Sequence, residues 1–582
     1  MNALLQLGEQ LFPGELLMLG ALLLPLLPAR ARGAWMVFLP LLSGAHLMSL
    51  EMGYEATASI AGFDLEVVRV DRLSRIFGMV FHIAAFLGSV YAWHVKRTGE
   101  LMAMLFYAGS AIGATFAGDL ITLFLFWEIT AISSVFLVWA RAFEEPSRRE
   151  RAYRSGMRYL SVQVGSGVLL LMGLLLHRAD TGSVAFTHIG LDASRGAPFL
   201  FAAFAIKAAF PMLHNWVQDA YPEATVSGTV LLAGFTTKLA IYALARGFAG
   251  TDLLIPIGAA MAAFPIFFAV LENDLRRVLA YSLNNQLGFM VVGVGIGTQL
   301  AINGAAAHAF AHILYKGLLL MSVGAVLYRT GTVDASRLGG LHKSMPLTTV
   351  FCIIGALSIS AFPLFSGFVT KSMIVSAVGD AHLPVTFGVL LFASAGVCDH
   401  SGIKVPFFAF FAHDQGWRVK EAPIHMLIAM GLTASLCIGI GLMPGLLYQF
   451  LPFPGLAAEY HAYETTHVIT MLELLLFAGL AFIVLVRLGV YPPEVPAVNV
   501  DTDWVYRKLT PRVVHRVYAM SRQLRRDWAG VLGPARDALL KVVRTQHAPP
   551  RGPLGEPWSA GRTALWAALL LGLLLLVHYG RG

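Results

Sequence analysis

The stretch ITLFLFWEITAISSVFL, Ile121–Leu137, is apolar almost throughout and shows no alternation of apolar with polar residues. A run of this kind is close to the roughly 20 residues that span a bilayer as helix. Lipid offers no hydrogen-bond partner to a peptide group, so a spanning segment is a self-satisfied helix or a strand of a closed barrel. Barrel strands alternate with a period of two and this run does not; it is a helix. Similar blocks recur along the chain of 582 residues, of which 57% are hydrophobic and only 13% charged. Soluble domains carry about 25% charged residues, and each needs a polar surface. The chain therefore reads as an all-α polytopic membrane protein.

Sixteen spans are expected, at 13–29, 34–50, 73–93, 101–117, 119–140, 157–177, 197–213, 226–247, 252–271, 278–298, 304–328, 346–380, 386–411, 424–443, 468–486 and 563–579. The twelfth is too long for one straight crossing, and Pro363 and Gly367 mark it as a broken helix. Pro211 and Pro406 fall close to the ends of the seventh and thirteenth. With the N-terminus outside, cytoplasmic loops hold Arg141, Arg148, Arg149, Arg151, Arg154 and most other basic residues. The opposite loops hold only Arg69, Arg72, Arg75, Arg178, Arg195 and Arg246. That asymmetry fits a bacterial-type inner membrane and gives the orientation. It also accounts for the net charge of +8 without nucleic acid. Met1–Glu15 has acidic and no basic residues, the reverse of a cleavable signal.

Residues 488–561 form the one long segment that does not span. Trp504, Leu509, Val513, Val517, Met520, Leu524 and Trp528 recur at helical spacing among arginines. This reads as an amphipathic helix on the membrane surface or on neighbouring spans, against the alternative of a solvated linker helix.

Five lysines fall inside spans: Lys207, Lys238, Lys316, Lys371 and Lys404; Glu128 lies near the middle of the fifth. Each such charge costs about 2.5–3.5 kcal/mol on insertion scales, so intramembrane charges are read as functional. For a lysine near a span end, snorkelling or a structural ion pair competes, and Lys404, near Asp399 and His400, is such a case. Glu128 and Lys207 invite pairing: a carboxylate within about 4–6 Å keeps an ammonium charged, and its withdrawal favours release of the proton. His308, His312 and Lys316 follow one another at i, i+4 and i+8 on one helix face. Histidine titrates near neutral pH and can relay protons; hydrogen bonding within the core is the alternative. A metal would want a third ligand, and Ala305–Ala307 and Ala309–Ala311 supply none. Cys352, Cys398 and Cys437 are far apart and form no cluster-binding set. No phosphate loop or dinucleotide fingerprint is present. No cofactor or metal site of its own is expected, so energy comes from an ion gradient or from partner proteins in the membrane.

Five stretches, FWEITAISSVFLVW (126–139), FAIKAAFPMLHNWVQDAYPEATVSG (204–228), NDLRRVLAYSLNNQLG (273–288), HAFAHILYKGLLLMSVG (308–324) and SAFPLFSGFVTK (360–371), resemble the antiporter-like subunits of respiratory complex I and of Mrp-type multisubunit cation/proton antiporters. The resemblance runs over residues 70 to 445. It implies a fourteen-helix core with two inverted five-helix repeats, each with a broken helix, here the seventh and twelfth. It also implies roles: Glu128 and Lys207 as a pair, Lys238 as the central lysine, His308, His312 and Lys316 as the eleventh-helix relay, and Lys371 as the lysine of the second broken helix. Asp399, His400 and Lys404 lie beyond the matched motifs and are candidate additional members. The last two spans and the amphipathic segment resemble the tail of the largest complex I antiporter-like subunit, in shortened form.

The expected organisation is three N-terminal spans (1–100), a first repeat (101–247), a second repeat (252–411), two C-terminal core spans (424–486), the amphipathic segment (488–561) and a last span with its tail (563–582). The expected function is a proton-translocating subunit working with other membrane subunits and with lipid, carrying H+, with Na+ and K+ as further candidate ions. It has no catalytic site of its own, though the assembly around it could be a quinone-reducing translocase. A membrane subunit of an inorganic-carbon uptake complex and a non-conducting structural subunit remain alternatives.

Overall fold

Each apolar block becomes a helix whose ends are set by the nearest polar cap or glycine. Among the described residues eighteen longer helices organise the chain: α1 (Glu15–Leu23), α2 (Ala29–Ser49), α3 (Arg72–Tyr91), α4 (Thr98–Phe116), α5 (Leu120–Trp139), α6 (Arg149–Thr181), α7 (Ala197–Lys207), α8 (Val226–Gly247), α9 (Leu254–Leu271), α10 (Leu275–Ile296), α11 (Gln299–Thr330), α12 (Pro346–Ile359), α13 (Ser366–Asp380), α14 (Pro384–Phe411), α15 (Ile424–Leu442), α16 (Thr465–Arg487), α17 (Thr510–His547) and α18 (Ala560–Tyr579). The computed structural model describes residues 12–60, 62–495, 499–547 and 558–579. Asp71, Asp119, Asp274 and Thr298 cap α3, α5, α10 and α11 by accepting from the first free backbone N–H groups. Gly182, Gly297 and Gly331 end α6, α10 and α11 in the left-handed conformation that an L side chain resists.

Among the described residues ten helices are long and apolar enough to cross a membrane, and three shorter ones are also apolar. α10 falls outside that set because Ser282, Asn284, Asn285 and Gln286 lower its hydropathy, yet all four are wholly buried against protein. The apolar windows of α8 and α11 are 100% buried, whereas that of α16 is 6% buried. α11 is therefore the axis of the fold, touching α3, α8, α10, α12, α13 and α15. α9 lies so close to α10 that a Cβ on Gly258 would sit 2.6 Å from the Val292 nitrogen and 2.7 Å from the Gly288 oxygen. Small residues permit this approach, as in other membrane bundles.

The structure departs from the sequence reading at several points. A β-hairpin, β1 (Glu55–Ile60) paired antiparallel with β2 (Phe63–Arg69), occupies a stretch whose sequence reads only as a loop. It is held to the α4–α5 turn through Gly118 N–H donating to the Glu66 carbonyl at 2.9 Å. The seventh span stops at Lys207 instead of running to 213, and a short helix, Asn215–Ala220, follows. The twelfth breaks as expected, after Ile359, and resumes at Ser366. The two breaks share one backbone: Ala209 and Met212 have φ of 59° and 69°, and Ala361 and Leu364 have 59° and 77°. Each stands in a matching AFP motif, 209–211 and 361–363, where proline removes an N–H and ends the helix. α8 is kinked at Phe235, and α14 widens to a π-helix over Cys398–Ile403.

The chain divides into two compact units, residues 1–499 and 500–582. The second consists of the π-turn Val505–Leu509, α17 and α18. α17 is a helix of 38 residues in which Val513, Val517, Leu524 and Trp528 recur among arginines.

Candidate functional site: a buried row of lysines and histidines

Lys207 is the last residue of α7, so the helix break delivers its ammonium to the interior instead of continuing past it. Its Nζ donates to the Trp127 carbonyl oxygen at 2.8 Å and lies 4.2 Å from the Trp127 ring centre. The indole is fixed in turn: its Nε1–H donates to Ser166 Oγ at 3.0 Å, and Ser166 donates to the Ala203 carbonyl at 2.8 Å. Glu128 is within electrostatic range of Lys207, but among the described ion pairs none joins them. Trp127, next to Glu128 in the chain, is the residue whose carbonyl and ring hold the lysine. The Glu128 carboxylate lies against the bare Cα of Gly167 on α6, and its Oε1 is buried without a hydrogen-bond partner. A Cβ at Gly167 would overlap that oxygen, whereas nothing lies within 4 Å of one at Gly165. Gly167→Ala should therefore displace Glu128 and lower transport several-fold, with Gly165→Ala near native. Transport equal in the two variants would show that the position of Glu128 does not matter.

The next lysine, Lys238 of α8, follows the kink at Phe235 and donates to the Ala233 carbonyl at 2.6 Å. Phe235 has left its own helix direction, so the turn before Lys238 exposes carbonyls that a straight helix would use itself. On α11, His308 and Lys316 both reach α10. His308 Nε2 is 3.1 Å from Gln286 Oε1, Lys316 donates to Ser282 Oγ at 2.8 Å, and Tyr315 joins them through its hydroxyl to Gln286 at 3.0 Å. The other His308 nitrogen meets Thr370 Oγ1 of α13 at 3.1 Å. Lys371, next in sequence, donates across the second break to the Ile359 carbonyl at 3.2 Å. His312 stands at the junction, with Lys238, Lys316, Lys371 and His308 all in electrostatic range. Among the described residues neither of its ring nitrogens has a hydrogen-bond partner, and Asn284 on α10 has both side-chain atoms in the same condition. Each of these lysines and histidines is 0% exposed.

His400 and Lys404 continue the row on α14. His400 Nδ1 is 2.9 Å from Ser401 Oγ, and Lys316, Lys371 and Lys404 lie in its range. Lys404 is not paired with Asp399, as its sequence position suggests. Its ammonium contacts Glu494 at 3.0 Å and donates to the carbonyls of Val270 and Glu272 at 2.6 and 2.8 Å. Gln286, Tyr315, Thr370, Trp127 and Glu494 join the site without having been expected from sequence. A signal exists for Gln286, a polar residue in an apolar span; for Glu494, in a segment that reads as surface, there is none.

The fold, with its broken helices and buried lysines, resembles that of antiporter-like membrane subunits of known structure. Residues 117–396 match the family described as NADH:quinone oxidoreductase/Mrp antiporter, transmembrane. Hydrogenase-4 component B of Escherichia coli is 29% identical over 426 residues, 64% of this chain and 62% of that protein. A Na(+)/H(+) antiporter subunit of Alkalihalophilus pseudofirmus is 28% identical over 443 residues, 67% of this chain and 54% of that one. The chain thus spans 54–62% of the length of these curated relatives. In the solved Mrp complex of Dietzia sp., one chain superposes with a TM-score of 0.74 at 25% identity, over 97% of this chain and 66% of that one. Respiratory complex I from Thermus thermophilus shares the fold, with a TM-score of 0.66 at 20% identity over 76% of this chain and 100% of that one.

Proposed function

We propose that this chain is a proton-translocating membrane subunit of a multisubunit cation/proton antiporter or complex I-like assembly. The observation that carries this reading is a row of wholly buried cationic and imidazole groups in mutual electrostatic range, Lys238, His312, Lys316, Lys371, His400 and Lys404, with Lys207 equally buried. Ammonium groups sealed in a bundle are costly unless satisfied, and here carbonyl and hydroxyl partners satisfy them only in part. Such groups can be charged or neutral, so a proton can pass along the row while the helices stay in place. His312, with both ring nitrogens unpartnered among the described residues, lies in range of Lys238 of α8 as well as Lys316 of its own helix.

Helices α4–α8 and α9–α14 are the two repeats on this reading. Asp119 and Asp274 cap corresponding helices and make corresponding isolated bridges, to Ala185 and Asp334. The matched breaks at 209–212 and 361–364 support the same division. The basic loops put residues 141–158 and 276–277 on the cytoplasmic side of an inner membrane, with the N-terminus outside. The exposed apolar face of α16 fits lipid or another membrane subunit. H+ is the ion carried along the row; Na+ or K+ would travel by exchange in the assembly, whose further subunits complete it.

The test is proton flux in inverted vesicles holding the intact assembly. Lys316→Ala should leave the assembly intact on native gels and lower flux about a hundredfold or more, the scale of a lost proton-transfer group. A non-conducting structural subunit predicts native flux in the assembled variant.

A further inference from the structure

The segment after α16 reads from sequence as the start of a surface strap, but its first turn goes inward. Gly489, at φ 66°, ends α16, and the Val490 and Tyr491 N–H groups both donate back to the Leu485 carbonyl. Pro492 and Pro493 cannot continue a helix, so the chain leaves extended and brings Glu494 against α14. The Glu494 side chain is 7% exposed and its Oε1 lies 3.0 Å from Lys404 Nζ, whose own side chain is 0% exposed. The contact is close, but neither carboxylate oxygen has a well-directed hydrogen bond. Farther on, Asn499 Nδ2 donates to Glu272 Oε2 at 3.1 Å and to the Phe268 carbonyl at 3.3 Å, fastening the segment to the end of α9.

The groups facing Glu494 are Lys404 and Asp399 from α14, Glu272 beyond α9, and Tyr491 of its own turn. Three carboxylates thus surround one lysine, with Arg277 balancing Glu272 from its other side. The neighbouring Pro493 and Val495 are exposed, so Glu494 stands between a sealed lysine and the outer surface of the bundle.

We propose that Glu494 is the terminal proton-exchanging carboxylate of the row, passing protons between Lys404 and the water at that membrane face; this rests on the relay reading above. The step conserves charge: one H+ leaves the Lys404 ammonium Nζ for Glu494 Oε1, giving a neutral amine and a carboxylic acid, and the acid then loses H+ to water. The reverse sequence loads the row. Burial disfavours a charged pair relative to the neutral one, so the two states lie closer in energy here than in water. Burial also raises the Glu494 carboxyl above the ordinary glutamate range even with Lys404 beside it, which suits a group that must hold a proton between steps.

Proton flux against pH in vesicles holding the full assembly tests this with Glu494→Gln, Glu494→Asp and Lys207→Ala. We expect Glu494→Gln to assemble, to lose flux about tenfold or more, and to lose the acid limb of the native pH profile. Glu494→Asp should retain that limb with reduced flux. Native flux in Glu494→Gln overturns the proposal, and so does a uniform loss with the acid limb intact, which marks a structural ion pair. If Lys207→Ala abolishes flux while Glu494→Gln alters neither flux nor profile, the proposal alone has failed. If Lys207→Ala conducts as the native assembly does, the relay reading falls and takes this proposal with it.

Discussion

Lys207→Arg is expected to stop transport as fully as Lys207→Ala, by about a hundredfold, in an assembly that forms normally. A proton relay needs a group that can give up its proton, and guanidinium does not do so at any physiological pH. Loss of a positioned proton-transfer group typically costs about 10²–10⁴-fold, roughly 3–5 kcal/mol of barrier. The environment of Lys207 sharpens the contrast. Its ammonium is held by the Trp127 carbonyl and ring, not by direct contact with Glu128. Arginine could keep both the carbonyl and the ring contact, so a purely structural requirement for a cation would be met. Glu128→Gln should reduce flux less than Lys207→Ala, because the lysine keeps Trp127 when the carboxylate is gone. The measurement is proton flux in vesicles, normalised to assembled complex on native gels. Full transport by an assembled Lys207→Arg complex removes Lys207 from the relay and leaves the membrane fold untouched.

Gly288→Leu should be the most damaging single change to the fold. A Cβ there would meet the Gly258 oxygen at 2.5 Å and the Ala262 Cα at 2.8 Å, both backbone atoms that no rotamer change can move. Overpacking typically costs about 1–3 kcal/mol and more where backbone is involved. α9 would be driven off α10, and with it the α10 face carrying Asn284, Asn285 and Gln286 would shift against His308. The expected outcome is a clear drop in melting temperature and in the yield of assembled complex, with flux lost as well. Gly317→Ala on α11 is the control, since nothing lies within 4 Å of a Cβ at that equally buried glycine. Equal stability of the two variants would mean that the α9–α10 contact is not a constraint.

The relation between chain and fold is clearest at the two broken helices. Sequence places a break at Pro363 and Gly367, and the structure breaks between Ile359 and Ser366. Proline acts locally, by removing an N–H and crowding the preceding turn, so its effect is written in the neighbouring residues. The seventh span shows the limit: Pro211 reads as lying near the end of a span to 213, whereas the helix stops at Lys207. The positive φ of Ala209 and Met212 depends on packing that no local rule supplies. The β-hairpin escapes a sequence reading for a related reason, since β1 and β2 are short and are stabilised by their seat on the α4–α5 turn.

By itself the sequence determined the helical membrane class, the identity of the buried cations and the shared face of His308, His312 and Lys316. These follow from hydropathy, from the cost of charge in lipid and from helical periodicity, all of which act within a turn or a span. Only the tertiary structure decided what each cation touches. Trp127 instead of Glu128 holds Lys207, Ser282 holds Lys316, and Glu494, from a segment far along the chain, reaches Lys404 in place of Asp399. A hydrogen bond or ion pair depends on a few ångströms of separation between elements, and that separation is set by glycine contacts, helix breaks and turns acting together.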